Sequence, residues 1–131
     1  MKDEEWRRLD FMNKENLLVT KSEDFALKIV EMYKKLQAKK ELVMSKQVLR
    51  SGTSIGANIA EAQYAQSRED FISKMSIALK ECSETSYWLK LLSRGGYLEN
   101  LPSCAGLASE CNSLQSVLVA TVKTAKLKKG Y

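Results

Sequence analysis

The sequence contains no histidine. That absence removes serine and cysteine triads that rely on an imidazole base, histidine-ligated zinc, the Glu-x-x-His di-iron sites of helical bundles, and the Arg-x4-His ribonuclease pair of small helical toxins. Proline is present once, at Pro102, and glycine six times. So few breakers over this length favour long helices. No run of about 18 uncharged apolar residues occurs, so no membrane-spanning helix is expected. The N-terminal stretch MKDEEWRRLDF lacks an apolar core and does not read as a secretory signal. The three cysteines, Cys82, Cys104 and Cys111, are odd in number and form no CxxC. That usage fits small buried thiols in a reducing compartment and argues against structural zinc. A cytoplasmic protein without cofactor or metal is the expectation.

The 131 residues, 44% apolar and 28% charged, suit one globular domain. Helical periodicity runs through most of it. Thr20-Lys-Ser-Glu23 has the form of a capping box, followed by Phe25, Ile29, Met32 and Leu36 at spacings of four, three and four. The spacing predicts a first helix from about residue 20, with residues 1–19 as an N-terminal arm, 20–131 as the bundle and a lysine-rich turn at 37–41. A second helix is predicted over 42–66, with Val48, Gly52, Ile55, Gly56, Ile59, Ala60 and Gln63 inward. Gly52, Gly56 and Ala60 align at intervals of four. Each glycine costs about 1 kcal/mol relative to alanine in a helix, so the alignment points to a close approach of another chain segment. A third helix begins at a Ser67 cap with acids in its first turn and stops at Gly95-Gly96. Its inward face is Phe71, Met75, Ala78, Leu79, Cys82, Thr85, Leu89 and Leu92. A fourth runs from about Ser103 to Leu127 with Leu107, Cys111, Leu114, Leu118, Val122 and Ala125 inward. Short connections between amphipathic helices give an all-α, antiparallel up-and-down four-helix bundle.

The formal net charge is +5. Residues 28–50 account for +5 and residues 111–131 for +4, leaving the rest of the chain at −4. The candidate nucleic-acid-binding residues are Lys34, Lys35, Lys39 and Lys40, with Lys123, Lys126, Lys128 and Lys129. Such clusters serve as footprints for phosphate backbones, or equally as solvated surface that keeps a protein in solution.

The third helix carries a second stripe. Ile77, Glu81, Glu84, Trp88 and Leu91 recur at four, three, four and three, roughly 100° around from the core face. A stripe with three large apolar residues points to a partner. Its two carboxylates need partners of their own, since a buried unpaired charge is costly. Arg50 and Asn58 on the second helix are the candidates, either within one subunit or across a subunit contact. Glu61 completes this set of interface or polar-network residues. Glu61, Glu81 and Glu84 could also be imagined as a metal-binding cluster. They lack the Glu-Glu-x-x-Glu plus Glu-x-x-Asp pattern of helical nucleotide pyrophosphohydrolases, so neither metal nor catalytic residues are expected.

Two runs carry a family likeness. SGTSIGANIAEA (51–62) followed by DFISKMSIALKECSETSYWLKLL (70–92) resembles the four-helix-bundle family encoded in intervening sequences of bacterial 23S ribosomal RNA genes, and NLLVTKSEDFALKIVEMYKKL (16–36) resembles that family's first helix. The resemblance covers about residues 16–127. It implies a ring-like homopentamer in the bacterial cytoplasm with no established enzymatic activity. It also relates the chain to the accessory protein of diversity-generating retroelements, a basic pentamer that binds nucleic acid and a reverse transcriptase. Two functions follow as expectations. One is a non-enzymatic oligomer that binds RNA or DNA through its lysines. The other is a scaffold that recruits a partner protein, such as an enzyme, without any nucleic-acid role.

Overall fold

The computed structural model describes the backbone of residues 11–128 and the side chains of residues 17–127. Four helices follow one another: α1 (Phe11–Ala38), α2 (Met44–Ala62), α3 (Arg68–Arg94) and α4 (Leu107–Lys128), with a short 3-10 turn at Pro102–Cys104 before the last. Each packs against its sequence neighbours, and α1 also packs against α4. Cross-helix contacts fix an antiparallel register. Gln37 reaches Ser45, Arg50 reaches Glu81 and Glu84, Ser83 meets Gln115, and Lys28 meets Glu110. This is the up-and-down four-helix bundle read from the sequence.

Local signals explain the helix ends. Ser67 Oγ accepts the Asp70 amide at 3.0 Å, and Glu69 and Asp70 lie in the first turn of α3, at the positive end of its dipole. At its other end Tyr97 N–H donates to Leu92 O and Gly96 N–H to Ser93 O, a Schellman cap with Gly96 at φ +82°. α1 closes in the same way, with Glu41 N–H donating to Leu36 O and Lys40 at φ +66° in the position glycine usually takes. Glu41 then caps α2. Its carboxylate accepts the amides of Val43, Met44 and Ser45 at 3.2, 3.0 and 2.6 Å. Helix starts leave such amides unpaired, and here one buried side chain takes three of them.

The inward faces of α3 and α4 follow the sequence pattern closely, although Leu79 is only partly buried. Three readings need correction. The first helix begins at Phe11, so residues 11–19 belong to α1 rather than to an arm, and Thr20-x-x-Glu23 is helix interior with both residues exposed. Leu18 and Ser22 are buried and continue the Phe25–Ile29 face; residues 1–10 of the expected arm lie outside the described residues. Helix α2 stops at Ala62, and its buried positions are Ser45, Val48, Ser51, Gly52, Ile55, Ile59 and Ala62. Gly56 and Gln63 lie at the margin of that face and Ala60 is exposed. Helix α4 begins at Leu107, because Pro102 opens the 3-10 turn instead.

The glycine reading holds most firmly at Gly52. A Cβ there would lie 3.0 Å from both Cγ atoms of Ile29, so α1 approaches as closely as a glycine allows. At Gly56 a Cβ would lie 3.4 Å from Ser22 O and Oγ, an ordinary contact.

Candidate interaction surfaces

The α2–α3 face is built around Arg50. Its guanidinium Nη1 donates to Glu81 Oε2 at 3.1 Å and its Nη2 donates to Glu84 Oε2. Trp88 Nε1–H donates to the same Glu84 oxygen at 3.0 Å. One helical turn separates Glu84 from Trp88, the spacing at which side chains on a helix meet. The indole hydrogen bond and the Arg50 hydrogen bond outweigh desolvation and hold the Glu84 carboxyl below its usual range. The Glu81 side chain is 12% exposed and Glu84 32%, whereas Arg50 is half exposed. Both carboxylates on the second stripe of α3 are therefore paired within one chain.

Asn58 takes no part in that pairing. Its side-chain amide donates to Ser54 O at 2.8 Å, one turn back on its own helix. Glu61 is separate too. It lies eleven residues beyond Arg50, about 16 Å along α2, and pairs with Lys74 at 3.1 Å. The imagined grouping of Glu61 with Glu81 and Glu84 does not form. Among the described residues no group of three or more acidic or cysteine side chains is placed to hold a metal ion.

The apolar members of the stripe divide. Trp88 packs partly buried against the core, Leu91 is half-buried, and Ile77 is 39% exposed. Beside them Tyr87 stands more than half exposed and meets Trp88 edge-on, with ring centroids 5.3 Å apart. Under the stripe, Thr85 Oγ1 meets Ser51 Oγ at 2.9 Å, a buried hydroxyl contact between α3 and α2 that apolar periodicity does not reveal.

The topology separates the two lysine clusters. Lys34, Lys35, Lys39 and Lys40 lie where α1 ends, α2 begins, α3 ends and α4 begins. Lys123 and Lys126 lie at the opposite pole, near the end of a 22-residue helix about 33 Å long. The Lys128 side chain and Lys129 lie outside the described residues. The first pole gains two cations outside the candidate binding residues, Lys46 and Arg94, both exposed. Its six named cations outnumber its two acids, Glu41 and Glu99, so a net positive charge remains. Lys35 Nζ donates to Ser103 Oγ and Lys39 Nζ donates to Glu99 O at 3.0 Å, both neutral acceptors. Among the described residues the ion pairs are Lys28–Glu110, Lys74–Glu61 and the two of Arg50, and none draws on this pole. Its acids are Glu41, whose carboxylate is spent on the α2 amides, and Glu99.

The model of the 23S rRNA-intervening sequence proteins matches residues 14–120. The chain belongs to that family. The intervening-sequence match begins near the start of α1 and ends within α4, so it takes in the first lysine pole and leaves Lys123 and Lys126 outside. A similar solved structure is that of a protein of unknown function from the S23 ribosomal protein family of Bacteroides thetaiotaomicron. It is 50% identical, covers 84% of this chain and 98% of its own, and superimposes with a TM-score of 0.79. No curated protein matches. The residues of the Arg50 cluster come from α2 and α3, both inside the matched region. Among the described residues no helix is long and apolar enough to cross a membrane.

Proposed function

We propose that this intervening-sequence protein is a non-enzymatic subunit of a cytoplasmic homo-oligomer, a pentamer on the family resemblance, that binds RNA or other nucleic acid through its lysine pole. The observation that supports this reading is the net positive charge that Lys34, Lys35, Lys39, Lys40, Lys46 and Arg94 leave over Glu41 and Glu99 at one end of the bundle. Clustered cations attract phosphate backbones by releasing condensed counterions. Symmetry multiplies a weak patch, and five copies of a +5 chain carry about +25. No aromatic is interleaved with the lysines between residues 34 and 40. Recognition is then phosphate-driven and weakly sequence-specific rather than stacked on bases.

The test is fluorescence anisotropy with labelled single-stranded RNA and duplex DNA. If about four phosphates are engaged, affinity falls by roughly two orders of magnitude between 50 and 200 mM salt. The triple variant Lys34→Ala, Lys39→Ala, Lys46→Ala weakens binding and flattens the salt dependence. Absence of binding at 50 mM salt refutes the reading.

A second reading has its own observation. Leu42 and Val43, in the turn at the same pole, are 49% and 71% exposed. Apolar side chains at a turn tip suit a protein partner, as a recruiting scaffold without a nucleic-acid role requires. Co-purification of one defined protein, resistant to nuclease and lost in Leu42→Ser, Val43→Ser, favours this reading over the first.

A further inference from the structure

The core holds a feature that neither reading uses. Cys82 of α3 and Cys111 of α4 are both fully buried, and their sulfurs lie 3.7 Å apart. Each thiol also reaches across to the other's backbone. Cys82 Sγ lies 3.3 Å from Cys111 O, and Cys111 Sγ lies 3.4 Å from Cys82 O. Such reciprocal contact requires the two helix backbones to run close together at this level. Sulfurs in contact across a close crossing meet the first requirement of a disulfide, that the two thiols reach one another.

We propose that Cys82 and Cys111 form an oxidisable pair that closes into an intramolecular disulfide joining α3 to α4. The reaction is thiol–disulfide exchange with a small disulfide. One protein thiolate attacks a sulfur of the reagent and releases one reagent thiol. The second protein thiolate attacks the mixed disulfide and releases the other. Two protein S–H bonds and one reagent S–S bond become one protein S–S bond and two reagent S–H bonds. The sulfurs approach by less than 2 Å to reach bonding distance. Both carbonyls sit inside helices and keep their own i+4 amides when the thiol contacts are given up.

The pair sits where a cross-link has structural consequence. Cys82 lies between Glu81 and Glu84, on the stretch of α3 whose other face carries the Arg50 cluster. A bond to Cys111 pins that stretch to α4. Neither thiol has solvent exposure, so the rate of closure is set by transient opening of the α3–α4 contact. Cys104 is buried as well but has no thiol neighbour among the described residues. The pairing is therefore selective. None of this depends on what the bundle binds or how many copies assemble.

The experiment uses the full chain and its Cys104→Ala variant, each reduced, then held folded with oxidised dithiothreitol, alkylated and mapped by mass spectrometry. Cleavage after Glu110 places Cys104 and Cys111 on different peptides. The expected result is a peptide containing Cys82 linked to one containing Cys111, in both proteins, with Cys104 of the parent chain alkylated. Closing a loop of about 30 residues raises the thermal midpoint by on the order of 10 °C, and reductant abolishes the rise. The Cys82→Ala variant, if it folds, shows no reductant-sensitive midpoint. The proposal is overturned if Cys82 and Cys111 are recovered alkylated, if Cys82 links to Cys104 or to a second chain, or if the link leaves the midpoint unchanged.

Discussion

The indole Nε1–H of Trp88 donates to Glu84 Oε2 at 3.0 Å, one turn along α3, and Arg50 reaches that same oxygen from α2. A carboxylate thus joins an aromatic ring on its own helix to a cation on the next.

Glu84→Gln tests that junction. The pair is partly open to solvent, so the loss at pH 7 is about 0.5–1 kcal/mol. The indole and Arg50 hydrogen bonds depress the folded carboxyl below its ordinary value. Its contribution is therefore complete above the unfolded value and fades as pH falls through the lower folded one. Denaturant titrations at pH 7 and pH 3 should show a smaller difference between variant and parent at the second than at the first.

Glu41→Ala removes the carboxylate that accepts the amides of Val43, Met44 and Ser45 at the start of α2. Burial works to raise this carboxyl, and the backbone donors Ser45, Met44 and Val43 overcome it, leaving the value lowered. A lost cap costs about 1–2 kcal/mol. The sign is the same as for Glu84, so the cost shows above the usual carboxylate range and shrinks in acid. Chemical denaturation across pH 3 to 7 measures it.

Gly52→Ala and Gly56→Ala separate crowding from helix propensity. At Gly52 the new methyl meets both Cγ atoms of Ile29 at 3.0 Å, and overpacking of about 1–3 kcal/mol exceeds the propensity gain of about 1 kcal/mol. At Gly56 the contact is 3.4 Å and the propensity gain prevails. The first variant is less stable than the parent and the second equal or more stable. In an Ile29→Ala background the cost of Gly52→Ala disappears, as expected of two residues in direct contact.

Ile77→Asp bears on assembly. Ile77 is 39% exposed on α3, so the change costs the folded chain little. Within the proposed oligomer it places a charge on the outward stripe. Light scattering should show a lower mass for Ile77→Asp than for the parent, with an unchanged helical circular-dichroism spectrum. An unchanged mass removes this stripe from the interface.

Much of the bundle is legible from spacing. The faces of α3 and α4 stand out because large apolar residues recur without interruption, and the Arg50 pairing follows once α2 and α3 are antiparallel. Other parts are hidden for physical reasons. Ser22 interrupts the stripe between Leu18 and Phe25, so α1 reads as starting late, although the serine is buried and satisfied by Val19 O at 3.2 Å. Asn58 looks available to a carboxylate, but a carbonyl one turn back on its own helix is nearer. Glu41 reads as a charge in a polar turn because capping acids are sought inside the first turn, and this one precedes it. Arg94 joins Lys34, Lys39 and Lys46 only through the order of the helices, and the same order sets Lys123 and Lys126 apart.

That order also fixes how the molecule can be held. With four antiparallel helices, the chain enters α1 and leaves α4 at the same pole, the one bearing Lys123 and Lys126. A dye, bead or sensor surface coupled at the first turn of α1 or the last turn of α4 therefore attaches there. Lys34, Lys39, Lys40 and Arg94 then face outward, which makes single-molecule and surface-capture measurements of the opposite pole practicable without masking it.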